Sequence, residues 1–249
     1  MGWPIARQRA TTCWRSCGRC LRSWTTARRT WRFFETFVTP ADNMLPPDNF
    51  QEDPVPVLAH RTSPTNIGLY LLSTAAAHDF GWAGLADTVD RLEATLATMA
   101  RLQRHRGHFY NWYDTTDLRP LEPPYVSTVD SGNLAGHLLT LANACASWRA
   151  TPRHAAPWRA GLADTGRIAA AEQALLPVTL TGLAAVSAVV TAANARLLRP
   201  DCTLAGLATD LRTAAALAHA FVDRHPGAAE LAYWVTAMQH TVESHLLDA

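Results

Sequence analysis

Six consecutive residues, Phe109-Tyr110-Asn111-Trp112-Tyr113-Asp114, set four aromatic rings beside an amide and a carboxylate. A flat indole or phenol face can lie on the C–H face of a pyranose while amide and carboxylate groups bond its hydroxyls, so these residue types suit carbohydrate recognition. The stretch begins at Gly107, passes Pro120, Pro123 and Pro124, and ends at Leu134 after Val129-Asp130-Ser131-Gly132-Asn133, which reads as a helix start. Asp114, Asp117 and Glu122 make it acidic, and a phosphate site would instead call for glycines opening a helix or for clustered Arg. The competing reading is a structural connection whose rings plug a core.

Asp114 and Asp130 are the candidate catalytic carboxylates. Asp130 sits where a helix dipole favours the ionised form, which suits hydroxyl binding or a base, and it reads equally as an N-cap. Asp114, among aromatics, suits a desolvated general acid or a side chain bonded to its own loop. Binding is the stronger reading of both, since glycoside cleavage needs two carboxyls about 5 to 10 Å apart. His60 and Arg61 lie just before another helix start and are further candidates for substrate contact or local hydrogen bonding.

The elements that must hold these groups are helices. Ser63 followed by Pro64 marks a capped start, and the helix that follows is apolar on every side as far as Gly81, as a fully buried helix is. Over 85–105 the residues Leu85, Val89, Leu92, Leu96, Met99 and Leu102 form one stripe, with a wet face opposite. From about 132 to 148 the helix is again apolar nearly all round, with Asp130-Ser131 as its cap. This alternation of buried and half-buried helices is what concentric rings produce, with a plain bundle as the alternative. A short helix over 27–38 precedes a turn-rich segment holding Pro46, Pro47, Pro54 and Pro56, and Ala-rich helices are expected near 162–176, 183–198, 204–224 and 228–247.

The chain has 249 residues, 48% of them hydrophobic, enough for a sizeable core. Its 22 basic residues are all Arg and seven fall in residues 1–30, which hold no acid, so residues 31–249 carry 15 basic against 21 acidic groups. The body is mildly acidic, and nothing calls for nucleic acid. Five cysteines, three of them in Cys13-x-x-x-Cys17-x-x-Cys20, do not match a secreted disulfide framework and leave a zinc or iron–sulfur site incomplete, so no metal and no cofactor is expected. Residues 1–25 show no usable periodicity and no signal peptide, and read as a disordered or non-native start. Residues 173–195 are uncharged, but Pro177, Gly182 and a Thr181 cap divide that run into loop and buried helix rather than a membrane span.

The blocks TWRFFETFVTPADNMLPPDNFQ (30–51), HRTSPTNIGLYLL (60–72), GHFYNWYDT (107–115) and YVSTVDSGNLAGHL (125–138) together resemble the glucoamylase-like middle domain of bacterial cyclic β-1,2-glucan synthases. The likeness covers about 27–148; residues 149–249 fit loosely and 1–25 do not. It implies an all-α fold, part of an α/α toroid of the six-hairpin glycosidase type, in which inner and outer helices alternate. It implies transglycosylation of β-1,2-glucan, with the remaining domains of a larger parent as partners on the cytoplasmic side of the inner membrane. The chain is then a fragment of a single incomplete domain over 26–249, inactive alone; a non-catalytic sugar-binding or structural helical protein is the alternative. Sugar-binding roles fall on Ser63, Thr65, Asn66, Asn111, Trp112, Tyr113, Asp114, Asp130, Ser131 and Asn133. A part-ring would also leave apolar faces of the 63–80 and 228–247 helices uncovered and prone to self-association.

Overall fold

The computed structural model describes residues 18–150 and 157–248. The described residues are all-α apart from short strand pairs, β1 (Phe50–Gln51) with β2 (Val57–Leu58), β3 (Arg61–Thr62) with β6 (Tyr113–Asp114) and β4 (Arg104–His105) with β5 (His108–Phe109); the helices are α1 (Gly18–Phe37), α2 (Pro64–Phe80), α3 (Leu85–Arg101), α4 (Thr128–Ala150), α5 (Trp158–Ala174), α6 (Leu183–Leu197), α7 (Leu204–Val222) and α8 (Ala229–Leu246). It divides into two compact units, one of residues 31–79 and 85–150, the other of residues 18–30, 80–84 and 157–248. Cys13 and Cys17 lie outside the described residues, whereas α1 already begins at Gly18, which corrects both the expected 27–38 bounds of that helix and the expected lack of order as far as residue 25.

In the second unit α5 packs on α6 and α8, and α7 packs on α6 and α8, a four-helix arrangement. The spacing of Leu231, Trp234, Val235, Met238 and Val242 aims one stripe of α8 inward, where all five are buried with Ile168, Leu207, Leu211 and Phe221. Each such side chain contributes roughly 1.5–3 kcal/mol by leaving water. The expected uncovered face of 228–247 is therefore corrected: α5 and α7 cover it. The buried guanidinium of Arg28 lies 5.2 Å from the Trp234 ring centre and 5.8 Å from that of Trp82, and donates to Thr165 Oγ1 at 3.1 Å. Gly161 sits against the Gly81 carbonyl, where an added Cβ would meet the oxygen at 2.0 Å. At α6 the expected Thr181 cap is replaced by Gly182, whose φ of 96° makes the turn with no side-chain cap. Among the described residues no helix is long and apolar enough to cross a membrane.

The first unit carries the aromatic loop. α2 is buried through Ile67, Tyr70, Leu71, Thr74, Ala75 and Ala77, so its face is covered too, although Leu69 stays exposed. α3 turns a different stripe inward from the one its apolar residues trace. Leu92, Met99, Thr88, Thr95 and Thr98 are buried, whereas Val89 and Leu96 face water. The threonines go inside because they serve backbone: Thr98 Oγ1 donates to the Asn43 carbonyl and Thr95 Oγ1 to the Met44 carbonyl, both at 2.8 Å. Those carbonyls belong to a turn in which Asn43 and Met44 have φ of 51° and 57°. α4 also departs from expectation. Only Leu134 and Leu141 are buried, and Val129 and Leu139 are 70% and 69% exposed, so this helix has a wet face despite its composition.

Candidate functional site

The loop is fastened to α2 by sheet pairing. Strand β3 (Arg61–Thr62) runs antiparallel to β6 (Tyr113–Asp114), matching Arg61 with Asp114 and Thr62 with Tyr113. A second fastening comes from Asn43, whose Nδ2 donates to the carbonyls of Thr115 at 2.8 Å and Thr116 at 3.0 Å. A third is Asp42, buried, which takes hydrogen bonds from His60 Nδ1 at 2.7 Å and from the Thr115 hydroxyl. His60 is thus a local partner of the loop.

Fixed in this way, the loop sorts its residues into three groups. Tyr113 goes into the core with its hydroxyl donating to the Gln103 carbonyl and accepting from the Tyr110 amide, each at 2.7 Å. Burial pushes its phenol up to about 12. Asp114 stays within its own loop. Burial raises its carboxyl, but bonds from the Thr116 hydroxyl and from the Thr116 and Asp117 amides outweigh this and hold it below the usual carboxylate range. Of its two readings, the loop-bonded anion is the one the geometry favours over the protonated acid.

Asn111 and Trp112 form the third group. Asn111 is 6% exposed, and with its amide oriented to satisfy every neighbour it donates to Asp130 Oδ2 at 2.9 Å while accepting from Trp112 Nε1 at 2.9 Å and from the Tyr125 hydroxyl at 2.7 Å. The Arg61 guanidinium lies over the Trp112 ring, 5.0 Å from its centre. Arg61 Nε and Nη2 donate to Asp48 Oδ2 at 3.1 and 2.8 Å, and Asn66 Nδ2 donates to Asp48 Oδ1 at 3.2 Å. Next to Asn66, Thr65 Oγ1 accepts from Asn133 Nδ2 at 3.2 Å. Since Asn133 lies three residues beyond Asp130 on α4, the contacts close into a circuit around the first turns of α2 and α4.

Ser63 and Ser131 have local bonds instead. Ser63 is buried and caps α2, its Oγ accepting from the Asn66 amide at 3.2 Å, and Ser131 Oγ donates to the Ser127 carbonyl at 2.8 Å. The expected Asp130-Ser131 cap is corrected. α4 starts at Thr128, and Ser127 Oγ caps it by accepting from the Asp130 amide at 3.1 Å. Asp130 therefore stands in the first turn with its carboxylate free to reach across. Asp48 and Tyr125 are the members that sequence reading missed. Asp48 sits at a bend after Pro46-Pro47, and its only signal is proximity to prolines.

No family model matches the chain. Over 126 residues the chain is 51% identical to the cyclic beta-(1,2)-glucan synthase NdvB of Rhizobium meliloti (strain 1021). Those residues are 51% of this chain and 4% of NdvB, so the chain spans a small fraction of that relative. The likeness agrees with the sequence blocks as far as resemblance to a cyclic β-1,2-glucan synthase goes.

Chemically, the circuit is a polar and aromatic surface that is already ordered. Among the described residues, Asp130 Oδ1, Asn133 Oδ1, Asn66 Oδ1 and Arg61 Nη1 make no hydrogen bond with the protein, which leaves three acceptors and one cationic donor beside an indole.

Proposed function

We propose that this chain is part of a β-1,2-glucan synthase-like protein and that the circuit holding Trp112, Asn111, Asp130, Arg61, Asp48, Asn66, Thr65 and Asn133 binds β-1,2-linked gluco-oligosaccharide. The observation that carries the reading is the convergence of these side chains on two neighbouring helix starts, with free acceptors beside one half-buried indole. The 51% identity to NdvB supplies the sugar and the linkage. In this reading the unit of residues 31–150 is a segment of an α/α toroid, glucoamylase-like in type, and the parent acts by glycoside cleavage and transglycosylation from the cytoplasmic side of the inner membrane.

Within that site Asp130 is the carboxylate assigned to substrate hydroxyls. Trp112, with Arg61 over one face of its ring, offers the sugar its other face. Ser63, Tyr113 and Asp114 support the site by capping, packing and shaping the loop. Turnover by the chain alone is not expected, because cleavage needs two positioned carboxyls facing one glycosidic bond.

Calorimetric titration with linear β-1,2-gluco-oligosaccharides tests the proposal, with cello-oligosaccharides as the linkage control. Weak binding that falls about tenfold in Trp112→Ala is the expected result, the equivalent of losing one ring contact. Equal responses from the wild type and Trp112→Ala would remove the loop from the account.

A further inference from the structure

On α4 the residues Ser131, Leu134, Ala135 and Leu138 lie beside a hairpin. With Gly107, His108 and Phe109 they line a recess of about 200 Å³. The opposing wall is the turn and second strand of that hairpin, in which β4 (Arg104–His105) pairs with β5 (His108–Phe109) and Arg106 and Gly107 join them. Both linking residues have positive φ, 50° and 87°, as a two-residue turn matching the strand twist requires. The shape of this wall is thus written into local backbone geometry. Arg104 stacks on Phe109 at 4.3 Å from the ring centre and holds that ring in place.

The lining divides by polarity. Leu134 is buried, and Phe109 and Leu138 are half-buried, giving an apolar floor. At the rim Ser131 Oγ spends its proton on the Ser127 carbonyl and keeps its lone pairs, while the His108 ring makes no hydrogen bond among the described residues. An apolar floor under a polar rim is complementary to one sugar ring, whose C–H face is apolar and whose edge carries hydroxyls. The volume also lies below the roughly 300–1,000 Å³ of pockets for larger ligands. None of these residues belongs to the circuit, yet Ser131 directly follows Asp130 in the chain.

We propose that the recess is a separate subsite for one further glucosyl residue of the oligosaccharide that the circuit holds, an assignment that rests on the carbohydrate reading above. It predicts that affinity depends on chain length, with a step at the length that first reaches the recess.

The test is titration of the wild-type chain with β-1,2-gluco-oligosaccharides from di- to hexasaccharide, repeated for Ala135→Leu and Ala142→Leu. Both alanines are exposed on α4 and Leu is a good helix former, but only Ala135 lines the recess. The wild type and Ala142→Leu are expected to gain about tenfold in affinity at one length, and Ala135→Leu to lose that gain while binding shorter chains as the wild type does. A step that persists in Ala135→Leu, a wild type without a step, or loss of every length in Ala135→Leu overturns the subsite. Binding that Trp112→Ala weakens about tenfold and Ala135→Leu leaves untouched at every length overturns the subsite alone, whereas absence of binding at all lengths overturns the carbohydrate reading with it.

Discussion

Replacing Asn111 by Asp isolates a single link of the circuit. The new carboxylate keeps both acceptor roles, toward Trp112 Nε1 and the Tyr125 hydroxyl, and reverses only the third, placing an anion where an amide now donates to Asp130 at 2.9 Å. Two unit charges at that separation repel by about 6 kcal/mol at an effective dielectric of 20, and by about 1.5 kcal/mol in bulk water. Asp130 is half-exposed, so the value falls between these limits. Proton uptake sets a ceiling, since keeping a carboxyl of ordinary pKa near 4 protonated at pH 7 costs about 4 kcal/mol. Asn111→Asp should therefore destabilise the unit by about 2–4 kcal/mol at pH 7. The sign of the pH dependence follows from the pair's raised folded-state pKa. The penalty is absent below about pH 4, where both carboxyls are protonated folded or unfolded, and grows as pH rises through the folded value. Asn111→Ala, which loses all three bonds, should cost about 2 kcal/mol with no such slope. Amide-exchange mass spectrometry at pH 7 and pH 4 reads each unit separately and compares the variants. A loss in Asn111→Asp that is equal at both pH values would refute the contact with Asp130.

Gly68→Ala should cost about 1–3 kcal/mol, because its Cβ would lie 2.2 Å from His137 Nδ1 and 3.1 Å from His137 Cβ, too near the root of that side chain to be relieved by a rotamer change. Urea unfolding should show His137→Ala restoring most of the loss in the Gly68→Ala background, and no restoration would place the clash elsewhere. In an ultraviolet titration Tyr113 should stay protonated until about pH 12, beyond the ordinary tyrosine value. The stability linked to this raised pKa is complete below about pH 10 and lost as pH rises through 12; Tyr113→Phe should remove that alkaline dependence.

The helices were legible because their cues are local. Ser63-Pro64 marks the start of α2 within one residue, and the stripe on α8 names its own buried face. α4 was harder to bound, since Ser127, Thr128, Asp130 and Ser131 are all cap formers and only the backbone chooses Ser127. α3 misled for a non-local reason. Counting apolar residues puts Val89 and Leu96 inside, but two carbonyls of a distant left-handed turn need donors, and Thr95 and Thr98 supply them. Within the site, Trp112 and Tyr113 are alike by type, and only once β3 pairs with β6 is one left half-buried and the other sent into the core. Asp48 had no readable cue, for its partners Arg61 and Asn66 lie 13 and 18 residues away across prolines.

The Asn43 fastening has a consequence for the thermodynamics of recognition. Its side chain holds two loop carbonyls, its own carbonyl is held by Thr98, and its Oδ1 accepts from Arg101 at 3.2 Å. Each side chain that a ligand must immobilise costs about 0.5–1.5 kcal/mol of affinity. A loop whose backbone is already pinned at residues 113–116, and whose indole is held at both its Nε1 and one face, has surrendered that freedom during folding. Loosening the turn by Asn43→Ala would return it, so the same ligand contacts would form against a larger entropic opposition and with the ring's position no longer set in advance.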